Sequence, residues 1–172
     1  MKSILQTVII YYFLIKDELE FSGFALNEIV IAKQEMYSIN LDISISGEKL
    51  MSVNADGLLI CSSCGSSAYN SSIRGPLMTP KSSNLLLNFF APFGKNCLPI
   101  LGGPEETFEI IISSNNWQNH ADLVLDSHTK IPIKKNSKML FRLNQKDTVK
   151  LITDKTNELK NWIKKVSGLM NW

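Results

Sequence analysis

Between residues 38 and 45 the chain alternates strictly, with Ile39, Leu41, Ile43 and Ile45 set between Ser38, Asn40, Asp42 and Ser44. A period of two places all four apolar side chains on one face, which predicts a strand with one face on a core and the other in water. Ser46-Gly47-Glu48 predicts a hairpin turn, with residues 49–53 as the returning strand. Residues 26–31 form another β-branched run, and residues 58–61 are apolar enough for a strand covered on both faces. Residues 107–112, 121–125, 130–133, 138–143 and 148–152 add further strands, separated by Asn, Asp, Gly and Pro at intervals typical of sandwiches. Helical spacing shows near the C-terminal end. There Leu159, Trp162, Ile163 and Val166 recur at i, i+3, i+4 and i+7, with Asp154 placed to cap the start. A second short helix is expected to begin near Ala68 and end before Gly75-Pro76. The expected fold is mostly β: a two-sheet, β-sandwich-like arrangement with one or two short helices, spanning residues 1–172 as a single domain.

Composition narrows the class without naming a function. At 172 residues, with 44% hydrophobic and 20% charged positions, the chain suits a packed core rather than disorder. A net charge of +2, with the basic residues scattered, argues against a nucleic-acid partner. The apolar run over residues 4–15 is too short for a membrane span, which needs about 20 residues. Its β-branched and aromatic content, and the absence of a small-residue cleavage pattern, favour a buried strand over a secretory signal. Three cysteines, an odd number without framework spacing, point to a reducing compartment and hence to the cytoplasm.

Candidate chemistry concentrates in two stretches. Cys61-Ser-Ser-Cys64 has redox or half-zinc spacing, but Cys97, His120 and His128 supply no matched second pair, so apolar filling is the simpler reading and no metal site is expected. Gly65-Ser66-Ser67-Ala68-Tyr69 combines a turn-forming glycine, two hydroxyls and the N–H groups that a starting helix leaves unpaired. That suits a nucleotide, although a plain strand-to-helix turn with serine caps would read the same. No lysine follows the turn, so it is not a Walker-type loop. Glu28 stands among apolar residues on a predicted strand, where a carboxylate is costly unless it is paired or binds something. Asp56-Gly57 reads as a turn or as a second acidic contact.

Taken together, Ala25-Leu26-Asn27-Glu28-Ile29-Val30-Ile31, then Ala55-Asp56-Gly57-Leu58-Leu59-Ile60, then Gly65-Ser66-Ser67-Ala68-Tyr69 and Gly75-Pro76 resemble the NAD kinase family. The order and spacing follow that family's A-L-N-(D/E)-V-V-I, A-D-G-L-I-V and T-P-T-G-S-T-A-Y elements and its G-G-P turn. Ala91-Pro92-Phe93 with Pro99 resembles the family's C-P-H…R-P segment, and Asp126 falls at its V-D-G aspartate. The resemblance covers nearly the whole chain and implies the fold of the family's C-terminal, NAD-binding domain.

It further implies phosphorylation of the adenosine ribose 2′-hydroxyl of NAD, with ATP as donor, Mg²⁺ on the donor phosphates and NADP as product. Asn27 and Glu28 would face the adenosine half of NAD, Ser67, Ala68, Tyr69 and Ser72 would line the same pocket, and Asp56 would sit near the other nucleoside. Physically this is coherent: carboxylates accept from ribose hydroxyls, an amide reads an adenine edge and a tyrosine offers area to a planar ring.

The departures bear on activity. The family's Gly-Gly-Asp-Gly motif, whose Asp activates the ribose hydroxyl, has no counterpart; Gly102-Gly103 is followed by Pro104-Glu105. The chain therefore resembles the C-terminal half without the α/β half, and no catalytic residue is expected in it. Alone it is expected to be inactive, and the expected partner is a second copy in a homo-oligomer or a separate N-terminal-half chain. The alternative is a non-catalytic NAD-binding or oligomerisation module. Smaller departures are Ser62-Ser63-Cys64 for T-P-T, Arg74 for the first glycine of G-G-P and Phe93 for the histidine of C-P-H.

Overall fold

The computed structural model describes residues 2–15, 17–94, 96–113, 121–133, 136–153 and 157–170. Its strands are β1 (Lys2–Ile15), β2 (Glu18–Ala25), β3 (Glu28–Lys33), β4 (Ile39–Ile45), β5 (Glu48–Ala55), β6 (Gly57–Cys61), β7 (Leu85–Phe90), β8 (Ile100–Gly102), β9 (Phe108–Ile112), β10 (Ala121–Leu125), β11 (Thr129–Ile133) and β12 (Lys138–Thr153). Two helices join them, α1 (Tyr69–Ser72), which follows a single 3₁₀ turn over Gly65–Ser67, and α2 (Glu158–Met170). One sheet runs β2-β1-β12-β9-β4-β5 and the other β11-β10-β3-β6-β7-β8, antiparallel at every pairing. The mostly β, two-sheet expectation is met.

The alternation that predicted β4 has its structural reason in the first sheet. Ile39, Leu41 and Ile43 are buried while Asn40 and Asp42 face outward, and β9 repeats the pattern with Phe108, Ile110 and Ile112. These side chains meet Ile29, Ile31, Leu58, Ile60, Leu85 and Leu87 of the second sheet in one core. The second sheet is covered on its far side as well. Val30, Leu59, Cys61 and Leu86 pack there with Met78, so every residue of β6 is buried. The Ser46-Gly47 hairpin forms as expected, with both residues at positive φ (49° and 89°), the twist that a two-residue connection requires.

Several elements differ from expectation. β2, β7 and β8 are additional strands. Residues 138–143 and 148–152, expected as separate strands, are one continuous β12 that follows β1 along its whole length, with a register shift between Thr7 and Ile9. The strand expected at residue 26 begins at Glu28, because residues 26–27 are diverted into a bend. The C-terminal helix starts at Glu158, and its cap is Asn157, whose Oδ1 accepts the Lys160 N–H at 3.0 Å. Asp154, expected to cap it, lies outside the described residues, as does His120. Among the described residues no helix is long and apolar enough to cross a membrane.

Candidate functional site

Three strand ends converge at one edge of the second sheet. Glu28 at the start of β3 is registered with Cys61 at the end of β6, and Ile29 with Leu125 at the end of β10. The residues that leave these strands are therefore brought together: Leu26-Asn27 before β3, Ser62 to Tyr69 after β6, and Asp126-Ser127 after β10. Asp126 and Ser127 turn the hairpin with φ of 45° and 61°. That turn aims the Asp126 carboxylate back at the chain preceding β3. Its Oδ2 accepts the Leu26 N–H at 2.7 Å, and its Oδ1 accepts the N–H groups of Asn27 at 2.7 Å and Glu28 at 3.1 Å. The return bond runs from the Asp126 N–H to the Glu28 carbonyl at 3.0 Å. One aspartate thus satisfies three consecutive backbone donors and fixes the bend that presents Asn27 and Glu28.

The serine turn is locked to that bend. Ser62 donates its N–H to the Asn27 carbonyl at 3.0 Å and its hydroxyl to the Leu26 carbonyl at 2.6 Å. Gly65 packs so closely on the Asn27 carbonyl that a Cβ there would overlap it, which explains the glycine by backbone approach rather than by φ. Below the turn lies a buried amide network. Asn70 Nδ2 donates to the carbonyls of Ser66 at 3.1 Å and Pro76 at 3.0 Å, while Asn88 Nδ2 donates to Asn70 Oδ1 at 3.0 Å. The turn's N–H groups are not the open cluster expected from the sequence. Those of Ser66 and Ala68 are used within the turn, at 3.0 and 2.8 Å, and the Gly65 N–H meets the Ser62 hydroxyl.

Glu28 is 4% exposed, and its Oε2 is buried without a hydrogen-bond partner among the described residues. Burial pushes its carboxyl above the usual glutamate range and the neighbouring Asp126 charge adds to this; the Tyr69 N–H, the Lys165 ammonium and the Ser127 hydroxyl pull the other way. Ser67 is buried beside it, with its hydroxyl receiving the Lys165 Nζ of α2 at 2.8 Å. Ala68 is half-buried, and the Tyr69 ring, 41% exposed, lies 6.4 Å from the Phe90 ring. Asn27 spends its backbone on Asp126 and Ser62; among the described residues nothing bonds its side-chain amide. Ser72 is exposed on the last turn of α1.

Asp56 is not part of this corner. Gly57–Cys61 separates it from the serine turn, a strand of about 17 Å at roughly 3.4 Å per residue. At that far end it pairs with Lys33 Nζ at 2.6 Å. β6 thus holds the Asp56 carboxylate apart from the serine hydroxyls. Two open hollows, of about 430 and 410 Å³, also lie elsewhere, on the outer face of the first sheet around Arg142 and around Asp42.

The cysteines behave as filling. Burial raises the Cys61 thiol far above its ordinary value, and burial likewise raises Cys64, so neither favours a thiolate. Among the described residues no group of three His, Cys, Asp or Glu side chains is placed to hold a metal ion. Residues beyond the reach of the sequence reading are Ser62, Asn70, Asn88 and Lys165, along with the clamping role of Asp126. Their partners lie up to 100 positions away, and no spacing in the chain signals such contacts.

Arg74, standing where the resembled family has glycine, sits at φ 57° and is exposed. A left-handed non-glycine residue costs about 1–2 kcal/mol, and glycine's extra unfolded-state freedom gives back about half of that. Arg74→Gly should therefore stabilise the fold by roughly 0.5–1 kcal/mol, read as a higher urea midpoint at unchanged slope. A lower midpoint would contradict this account of the turn.

Fold and site together define an antiparallel two-sheet protein presenting a carboxylate, a hydroxyl, an amide and an aromatic ring at one sheet edge, the chemistry that suits a nucleoside. The family of ATP-NAD kinase C-terminal domains matches residues 26–153, and the chain belongs to that family. It is similar to the NAD kinase of Lachnoclostridium phytofermentans, 29% identical over 131 residues that cover 74% of this chain and 46% of the relative. It is also similar to the NAD kinase of Acidithiobacillus ferrooxidans, 32% identical over 122 residues, covering 70% of this chain and 41% of the relative. The fold matches that of yeast NADH kinase, solved in complex with NADH, with a TM-score of 0.83, 22% identity and coverage of 99% of this chain and 49% of that one. The chain spans about half the length of the curated relatives it matches.

Proposed function

We propose that this chain forms the NAD-binding half of an NAD kinase, which transfers the γ-phosphoryl group of ATP to the adenosine ribose 2′-hydroxyl of NAD and makes NADP. The observation that carries the reading is Glu28: a buried carboxylate with one unpartnered oxygen, held by the Asp126 clamp beside Ser67 and Tyr69. Burying such a group is costly unless a ligand completes it, and a ribose hydroxyl donates what Oε2 lacks. The Asn27 amide reads an adenine edge, the exposed Tyr69 ring takes the planar base, and Ser67, Ala68 and Ser72 line the approach. Asp56, at the far end of β6, contacts the other nucleoside of NAD, in the same copy or in the site of a neighbouring copy of a homo-oligomer. Support for the substrates comes from relatives named NAD kinase and from the NADH complex of the structural neighbour.

Phosphoryl transfer needs a general base within hydrogen-bond reach of the 2′-hydroxyl and a clamp for the donor phosphates. In this reading both belong to an α/β segment outside these 172 residues, of the Gly-Gly-Asp-Gly type. Mg²⁺, which typically bridges phosphate oxygens, finds no ligand set among the described residues, since Asp126 is spent on three N–H groups and Glu28 faces the ribose. Its handling goes with the donor ATP. An odd number of cysteines without framework spacing fits a cytoplasmic setting.

The test mixes the chain with a Gly-Gly-Asp-Gly α/β half, ATP, Mg²⁺ and NAD, and measures NADP. The mixture is expected to form NADP, and the chain alone none. NADP from the pure chain would overturn the assignment of catalysis to the other half. A mixture that binds NAD without turnover would favour the second reading, a non-catalytic dinucleotide-binding module.

A further inference from the structure

Helix α2 lies beyond the residues that the family description covers, yet it reaches into the site. Among its described side chains Val166 is buried, at 5% exposure, and Lys165 beside it places Nζ 2.8 Å from the Ser67 hydroxyl. The same ammonium acts on the charge of Glu28 and on Cys64. Trp162 lies three and four positions before these residues, on the same helix face by spacing. Its Nε1 is a buried donor without a partner among the described residues. Glu28 in the serine-turn corner and Trp162 on α2 thus each carry an incomplete group, an acceptor on the first and a donor on the second.

Charge decides what the corner suits. Glu28 and Asp126 give the corner two carboxylates, which fit ribose hydroxyls but repel the two phosphates of a dinucleotide. An uncompensated anion pair would be placed against them at low local dielectric. Lys165 is the cation that touches the corner, and the indole N–H is a neutral donor that adds no repulsion. We propose that α2 forms the diphosphate-binding side of the site, with Lys165 Nζ and Trp162 Nε1 donating to the phosphate oxygens while Glu28 holds the ribose. This rests on the dinucleotide reading above and assigns to α2 a ligand-contacting role outside the family's matched region.

The test compares two probes on the full chain by calorimetry: NAD, which carries the diphosphate, and adenosine, which does not. Lys165→Ala should weaken NAD roughly 5–20-fold, the size of one partly exposed charge-assisted hydrogen bond, and leave adenosine unchanged. Lys165→Arg should restore most of the affinity, and Trp162→Phe, which keeps an aromatic ring but loses the donor, should weaken NAD by roughly 3–10-fold. Raising salt from about 50 to about 500 mM should weaken NAD binding by the wild-type chain more than by Lys165→Ala, because only the former has the screened contact. NAD affinity unchanged in Lys165→Ala, or NAD and adenosine weakened equally, would overturn the proposal and leave the dinucleotide reading standing. A wild-type chain that binds neither probe would overturn the reading, and the proposal with it.

Discussion

Asp126→Ala should destabilise the fold by about 3–5 kcal/mol, the cost of leaving partly buried donors without the charged acceptor they share. Three N–H groups, those of Leu26, Asn27 and Glu28, converge on this one carboxylate. Alanine offers none of them an acceptor, and the partly buried bend gives water only incomplete access to them. Because the same bend aims Asn27 and Glu28 at the site, ligand binding should fall together with stability. Asp126→Asn keeps one acceptor oxygen and should cost less, about 1–2 kcal/mol. Urea denaturation of both variants measures the effect. A loss below about 1 kcal/mol for alanine would mean that the hairpin turn, and not its carboxylate, holds the bend.

Glu28→Gln should move stability and binding in opposite directions. Burial raises the Glu28 carboxyl above its ordinary range. An acid whose folded-state pKa exceeds its unfolded value binds protons more tightly when folded. Its contribution to stability is therefore complete below the ordinary glutamate range and is lost as pH rises through the higher folded value. Glutamine removes that loss and puts an amide donor where Oε2 has no partner. The variant should melt above the wild type at pH 7–8 and converge with it toward about pH 4. NAD affinity should drop roughly 10–100-fold, since the charge-assisted bond to a ribose hydroxyl is gone. Melting curves across pH, paired with NAD titrations, test both halves. A variant that is destabilised at neutral pH would show that Glu28 serves the fold and not a ligand.

Much of the fold could be read from local pattern because the two sheets leave different signatures. β4 alternates since water covers its outer face, whereas β6 is apolar throughout since Met78 and its neighbours cover the far side of the second sheet. The same both-faces logic applies to Leu85–Phe90, but Asn88 interrupts that apolar run, for a reason found only in the buried bond to Asn70. β12 read as two strands because Asn144, Lys146 and Asp147 mimic a turn. In the structure they lie on a strand that β1 accompanies past a register shift.

The site was legible to a different degree. Glu28 stood out as an acid in an apolar run, and Gly65 to Tyr69 as a turn with hydroxyls, because both anomalies are local. Asp126 stood out only as the counterpart of the resembled family's V-D-G aspartate, with no role attached, and Lys165 looked like one of several solvated lysines. Their roles depend on contacts 98 to 100 positions away, set by strand register and helix docking rather than by neighbouring sequence. Asp56 shows the opposite effect: only eleven positions from Ser67 in sequence, it is carried to the other end of the sheet by β6.

Calorimetric titration of NAD into the 172-residue chain decides whether this corner holds a dinucleotide. Saturable binding is expected with a dissociation constant below about 1 mM, equivalent to about −4 kcal/mol or better, weakened in Asn27→Ala and roughly 10–100-fold weaker in Glu28→Gln. No heat of binding at several-fold higher NAD (roughly 5 mM), or binding that both variants retain in full, would contradict the assignment of this corner to a dinucleotide.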